Sequence, residues 1–537
     1  MITHFDVIVV GSGGAGLSAA LTASVKGARV LIVEKSPLLG GTTAMSGGGT
    51  WIPCHPHQNA IGVQDSPGSA LDYLRACAPE GWHNVEDPLW VSFVRSAPEM
   101  ITFLEEHSPL KFGPSREPDP YAEAPGGMTF GRALSPRPLP ARLLGKFRPK
   151  LRGPQYVPWL NYEEVLDTPI ATQPIRYGIR FAPRMFWRAI GDRRVMGNAL
   201  VIGLLRGCLD HDCEIWTETS AETLIYDSGR VTGITALRGH EILTIKAEKG
   251  VVLASGGFEW NSQMMAEYFP GIPVEWTASP STNTGDSHRM AAAVGARLDR
   301  LDQALVYGTV PKPYENRVRG VPASEYGLPH AMVVSRHGTR FMNEKQKFDP
   351  SPFLERDSQG NPKNLPAWRI YDSQFVKKYR YMLPSNHGDA KLVKKNSLKD
   401  LASVIGIDGE ALEQTAKRFS DFAKLGVDHD YGRGSSVWDR VRVSDPRQKP
   451  NPALGSIERP PFYAYPLRPS FIGTKGGPRT NAKGQVVDHD WEPIAGLYAA
   501  GNTMANPFGT KGMGGGTTIG PVLTWGFIAG KNVIQGI

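Results

Sequence analysis

The chain has 537 residues, 40% hydrophobic and 21% charged, with 60 Lys and Arg against 52 Asp and Glu for a formal net charge of +8. That length supports a large core in two domains or three, and the composition excludes a disordered, collagen-like or disulfide-framework chain. Cys54, Cys77, Cys208 and Cys213 fall at neither metal-ligand nor framework spacing and are expected as reduced thiols of a cytoplasmic protein; no secretory leader and no bilayer-spanning apolar run are read.

The most informative stretch comes first. Val7 to Val10 reads as a buried parallel strand, Leu17 to Lys26 as a helix stopped by Gly27, and Val30 to Val33 as the next strand. Between them stand Gly11, Gly13, Gly14, Ala15 and Gly16, the turn of a dinucleotide-binding βαβ unit. Gly11 makes the turn, Gly13 admits a pyrophosphate, and Gly16 lets helix and strand pack closely. The helix N-terminus then offers free N–H groups to phosphate. Glu34 ends the second strand where an acid accepts from a ribose and disfavours a 2′-phosphate. The loop that follows carries Lys35, Gly41, Thr42, Thr43, Ser46, Gly47 and Gly48, whose small side chains and hydroxyls suit an extended ligand.

From Pro114 to Pro183 the chain is rich in proline, arginine and aromatics with little periodicity, and reads as a long excursion over the substrate side. Within it, Arg132 to Arg152 is expected as a solvated or lid-like basic face, with an acidic ligand or membrane surface as the sharper alternative. Met196 opens an amphipathic helix, and strands follow around Glu214 to Thr217 and Arg230 to Leu237. Lys249 to Gly257 is another buried strand ending in glycines, which places Ala254, Gly256 and Gly257 near the nucleotide. Asp286 reads as a helix cap or second nucleotide contact. Residues 301–470 suggest an inserted substrate domain. Gly496 to Asn502 restores the strand-then-glycine pattern with Gly501 and Asn502, and the glycines from 512 to 520 lead past Thr518 and Ile519 into a helix begun by Pro521. The expected fold is α/β: a Rossmann-like dinucleotide-binding domain from 1–300 and 471–537, with an α+β substrate or catalytic domain at 301–470.

Taken together, Gly11 to Gly16, Glu34, the loop from Gly40 to Pro53, Ala254 to Gly257, Thr284 to Asp286, Gly473 to Gly477 and Gly496 to Asn502 resemble the fumarate reductase and 3-ketosteroid dehydrogenase flavoprotein superfamily. The runs Ser46 to Pro53, Arg340 to Glu344 and Gly515 to Pro521 look most like its ketosteroid 1-dehydrogenase branch. The resemblance implies FAD, a ring-ketone substrate that is a steroid or a smaller cyclohexanone-type keto acid, and an external electron acceptor. It implies removal of a proton beside the carbonyl and of a hydride from the neighbouring carbon, which needs a base and a preorganised oxyanion donor. In this family two tyrosines serve proton abstraction, and a third with a glycine N–H polarises the ketone. Tyr121 matches the first tyrosine and Gly516 the donor glycine. Phe348 stands at the usual base position, and Lys511 and Gly512 stand where the carbonyl-polarising tyrosine falls.

The expected catalytic set is therefore Tyr121, Gly516, Lys511 and Tyr465, with Tyr307, Tyr326 and Tyr463 as further tyrosines able to fill the vacancy. No metal is expected, because His55, His57, His288 and His337 have no ligand spacing. Neither nucleic acid nor a transmembrane segment is expected, and contact with a membrane surface stays open. Two other readings remain: a fumarate reductase-like alkene reductase resting on Arg340 and Arg479, and a flavin-carrying binding protein that has lost catalytic groups at Phe348 and Gly512.

Overall fold

The computed structural model describes residues 2–156, 159–345 and 348–535. The first unit of the fold is β1 (Ile2–Val10), α1 (Gly14–Val25) and β2 (Val30–Glu34), with β1 and β2 parallel and Val7 opposite Val30. The helix begins three residues before the expected Leu17, because the N–H of Leu17 already reaches the Gly13 carbonyl at 2.9 Å. Gly16 lies at the crossing of helix and strand, and a Cβ there would overlap the Gly11 carbonyl oxygen. That contact is the physical requirement for the third glycine of the turn.

Three further helices are α2 (Tyr162–Leu166), α3 (Pro174–Ile190) and, at the C-terminus, α4 (Ile519–Val533). Around β1 and β2 the main sheet adds β3 (Glu214–Thr217), β4 (Arg230–Arg238) and β5 (Glu241–Leu253). A second sheet is built on β6 (Ala304–Tyr314) and β7 (Phe462–Thr474), and β8 (Pro493–Ala499) returns to the first. Among the described residues the main sheet has eight strands, in which β5, β1, β2 and β3 run parallel and side by side. β8 also pairs in parallel with β5, Val251 lying opposite Leu497, so the C-terminal segment closes the sheet that the N-terminus opens. The second sheet has six strands among the described residues and holds residues 304–474, with β6 and β7 antiparallel.

Val7, Ile8, Val9, Leu31, Ile32, Val251 and Val252 are buried, as the apolar runs required. α4 packs on α1 so closely that Gly526 and Gly530 sit against the Ala15 and Ala19 backbone. Four expectations are corrected. The helix opened by Met196 spans Met196–Asp210 and is buried on nearly all sides, not amphipathic. The C-terminal helix begins at Ile519, two residues before Pro521. The excursion from Pro114 to Pro183, read as having little periodicity, holds helices: α2 carries an Asn161/Glu164 capping box, and α3 runs for 17 residues despite Pro183 inside it. Nor is the basic run a uniformly solvated face. At its ends, Arg132 is buried between Asp65 and Asp119 at 2.8 and 3.0 Å, and Arg152 is buried against Glu315.

Candidate active site

A cavity of about 410 Å³ runs along the carboxyl ends of the parallel strands, where ligands sit in open α/β sheets. Its wall takes Val10 from the end of β1, Glu34 from β2, Ala254 after β5 and Gly501 after β8. Of the residues expected to hold a cofactor, Gly11, Gly13, Gly14, Ala15, Glu34, Lys35, Gly41, Thr42, Thr43, Ser46, Gly47, Gly48, Ala254, Gly256, Asp286, Gly501, Asn502, Thr518 and Ile519 all line it. Gly16 and Gly257 lie behind the wall. A Cβ on Gly257 would strike the Thr474 hydroxyl and the Glu259 carboxylate, so this glycine serves packing.

The arrangement suits FAD. The N–H groups of Gly13 and Thr518, one at the start of α1 and one beside the start of α4, make no hydrogen bond among the described residues. They are donors aimed at a ligand from two helix N-termini. Glu34 is held at the strand end by the Ser12 N–H and hydroxyl at 3.0 and 2.7 Å and by the Ser36 N–H at 2.9 Å. Lys35 pairs with Asp286 at 2.5 Å and donates to Thr284, joining the two segments at this end of the cavity. Asp286 is indeed the first residue of a helix, Asp286–Ala293. Lys475 lines the wall further in; its ammonium donates to the Gly509 carbonyl at 2.7 Å, and burial pulls its pKa down to about 8.

At the other end stand Gly516, Phe348, Gly512, Tyr307, Tyr156, Tyr162 and Arg442. Gly516 has φ +96°, and a Cβ there would overlap the Gly49 backbone, so only glycine fits. Its N–H makes no hydrogen bond among the described residues. Tyr162, the first residue of α2, points its hydroxyl at Glu117 Oε2, 2.6 Å away. Glu117 is fully buried, and Arg442 Nε lies 3.2 Å from its other oxygen. Glycine at 49 makes room for the Tyr162 ring, since a Cβ there would sit 2.5 Å from its Cζ. A Cβ on Gly515 would collide with both the Tyr162 hydroxyl and the Glu117 carboxylate. The tyrosine–carboxylate pair thus abuts the residue before Gly516. Burial raises the Glu117 pKa above the usual carboxylate range, against the opposing pull of Arg442 and the Tyr162 hydrogen bond. Burial first, and Glu117 second, push the Tyr162 hydroxyl well above the usual tyrosine range.

The other expected catalytic residues are placed elsewhere. Tyr465 is a buried packing residue of the second sheet whose hydroxyl donates to the Ser385 carbonyl at 3.0 Å. Lys511 is half-exposed and faces Asp349, 3.9 Å away, outside the cavity wall. Tyr121 packs at the edge of the main core, also outside that wall, where burial and the Asp349 charge push its hydroxyl well above the usual range. The arginines on which fumarate reduction rested are taken up by structural pairs: Arg340 by Glu344 and Asp428, Arg479 by Glu86. Neither lines the cavity. Among the described residues no cluster of His, Cys, Asp or Glu is arranged to hold a metal ion, the four cysteines are free thiols, and no helix is long and apolar enough to cross a membrane.

Residues 6–519 match the FAD binding domain family. The chain is 36% identical to the 3-oxosteroid 1-dehydrogenase of Mycobacterium tuberculosis (strain ATCC 25618 / H37Rv), over 99% of this chain and 98% of the relative. It is 33% identical to the 4-oxocyclohexanecarboxylate 2-dehydrogenase of Sinomonas cyclohexanicum, over 98% and 92%. The crystal structure of 3-ketosteroid delta1-dehydrogenase from Sterolibacterium denitrificans, in complex with 1,4-androstadiene-3,17-dione, superposes with a TM-score of 0.90 at 33% identity, covering 99% of this chain and all of that one. The chain therefore belongs to the FAD binding domain family, is 3-ketosteroid 1-dehydrogenase-like over its whole length, and is a FAD-dependent dehydrogenase of CH–CH groups.

Proposed function

We propose that the enzyme desaturates a 3-ketosteroid-like ring ketone beside its carbonyl, with Gly516 as oxyanion donor and the Tyr162–Glu117 pair as proton acceptor. Electrons then leave for an external acceptor. The carrying observation is that a Gly516 N–H with no hydrogen bond among the described residues and a tyrosine bonded to a buried carboxylate share one end of a cavity whose other end is built for a dinucleotide. A carbonyl oxygen and its α-hydrogen are only a few ångströms apart, so donor and base must be neighbours. Gly516 and Tyr162 are.

Bound FAD supplies the hydride acceptor. The chain supplies the rest. The Gly516 N–H stabilises charge as it develops on the carbonyl oxygen, which requires no reorganisation because Gly516 is fixed by its tight contact with Gly49. At rest Tyr162 is protonated, since burial and Glu117 both oppose its ionisation. It takes the α-proton as it passes its own hydrogen across 2.6 Å to Glu117. Burial makes Glu117 a better proton acceptor than an exposed carboxylate, while Arg442 favours its ionised resting form. Tyr156 and Tyr307 line the same end, but among the described residues neither hydroxyl is hydrogen-bonded to a carboxylate. Phe348 can take no proton.

Anaerobic titration of the purified yellow enzyme tests this reading. Saturated 3-ketosteroids are expected to bleach the flavin, and fumarate is not expected to reoxidise it. Bleaching by cyclohexanone-type keto acids alone would move the substrate to the smaller class. No bleaching by any ring ketone, together with reoxidation by fumarate, would reverse the assignment.

A further inference from the structure

Among the described residues, the cationic side chains that line the cavity are Lys35, Arg152, Arg442 and Lys475. All but one are paired with an acid. Lys35 meets Asp286, Arg152 meets Glu315 and Arg442 meets Glu117. Lys475 is the exception. It is 1% exposed, and among the described residues its ammonium bonds only to the Gly509 carbonyl, at 2.7 Å, with no carboxylate in reach. An ammonium carries three N–H donors, so most of its capacity is left without a protein acceptor. A buried charge is ordinarily paired, because taking it out of water is costly.

The backbone sets the direction of this side chain. Thr474, the last residue of β7, turns its hydroxyl away from the cavity: it accepts from the Phe258 N–H at 2.8 Å and donates to Glu259 at 3.2 Å. Neighbours on an extended chain point to opposite sides, so Gly473 and Lys475 share the other one. Both line the cavity, and Thr474 does not. Gly509 belongs to the segment between β8 and α4, which also carries Gly501 and Gly516 into the wall. The ammonium therefore sits where the second sheet meets the segment that runs from the dinucleotide end to Gly516.

We propose that Lys475 is the counter-charge for the flavin ring in its reduced state. The balance of the reaction calls for one. Hydride transfer places two electrons and one hydrogen on the ring while the substrate's α-proton leaves for the base, so the ring gains one unit of negative charge. A fixed cation in a wall that excludes water favours the charged ring over the neutral one. Burial alone holds Lys475 down to about 8, so an anion beside it is what its charged form lacks. The phosphates of FAD do not fit this role equally well. Their charge is the same before and after reduction, and the N-termini of α1 and α4 already offer them donors. The proposal does not depend on which ring ketone is the substrate or on which group takes the proton.

Redox titration of the FAD-loaded protein against a reference dye, without substrate, tests this. Lys475→Met should lower the equilibrium constant for two-electron reduction about tenfold or more, which is about 30 mV for such a couple. Sulfite adds to the oxidised ring and leaves it negatively charged, so its affinity should fall by a similar factor. Lys475→Gln keeps a donor for the Gly509 carbonyl but no charge, and it should shift both readings in the same direction. A lysine that only tied down the loop would leave Lys475→Gln at wild-type values. Flavin content and Tm are the controls for folding, and the glutamine variant decides the matter where the methionine variant loses FAD. Wild-type potential and sulfite affinity in Lys475→Gln would overturn the proposal. So would an equal loss of affinity for oxidised and reduced FAD, since it would assign the ammonium to the phosphates.

Discussion

Phe348 and Gly512 touch: the Gly512 N–H donates to the Phe348 carbonyl at 2.9 Å, and a Cβ at 512 would lie 2.6 Å from the Phe348 Cβ. These are the two positions at which the family's tyrosines are missing, so the two departures form one feature. Phe348 holds φ +53°, a conformation that bulky residues rarely adopt, and its ring packs against Tyr307 and Trp438 at 5.9 and 5.0 Å. The ring and backbone occupy the space a side chain at 512 would need. Restoring one tyrosine alone is therefore unfavourable.

Gly512→Tyr is expected to destabilise the protein by about 1–3 kcal/mol, the scale of overpacking a filled site. Adding Phe348→Ala should recover part of that loss. Urea unfolding of both variants checks this; a Gly512→Tyr protein as stable as the wild type would show that Phe348 gives way freely.

Glu34→Arg removes the acceptor of three hydrogen bonds from Ser12 and Ser36 and, with it, the proposed ribose acceptor. Charge-assisted bonds of this kind contribute about 1.5–3 kcal/mol each, so FAD affinity should fall about tenfold or more. Flavin absorbance per protein after dialysis measures it, and full occupancy would contradict the assignment.

Burial holds the His288 ring neutral, pulling its pKa from 6.5 down to about 4, although the Gly476 carbonyl at 2.8 Å opposes the shift. In the unfolded chain the ring takes a proton near pH 6.5, and in the folded one it does not until about pH 4. Its contribution is thus complete above pH 6.5 and is lost as pH falls toward 4, by about 3 kcal/mol in full. His288→Gln should flatten the dependence of Tm on pH across that window, with a smaller slope remaining from His55, which burial likewise lowers to about 4. Parallel curves for the two proteins would place the titration elsewhere.

The dinucleotide end was legible in the sequence because its determinants are local. A glycine turn, an acid at the next strand end and a glycine after each later strand lie within a few residues of the backbone atoms they serve. The proposed catalytic end was not. Tyr162 and Glu117 stand 45 residues apart within the excursion, and Arg442 comes from the end of a helix in the segment that carries the second sheet, so only tertiary packing brings the three together. The motif match fell on Tyr121 and Lys511, which stand on segments outside the cavity wall. One local signal existed: Asn161 and Glu164 form the capping box that starts α2 and thereby fixes Tyr162 at its first turn. In α3, the regular interruption by arginine concealed a helical stripe, because that stripe faces outward and does not follow the core's pattern.

The most direct test of the account is anaerobic stopped-flow reduction of the flavin by a saturated 3-ketosteroid in the wild type and in Tyr162→Phe, alongside exchange of the substrate's α-hydrogens with deuterated water. Loss of the hydroxyl that receives the proton should slow both processes about 100-fold or more, the scale of a positioned general base, with FAD still bound. Flavin reduction and α-hydrogen exchange at wild-type rates in Tyr162→Phe would contradict the assignment of the Tyr162–Glu117 pair.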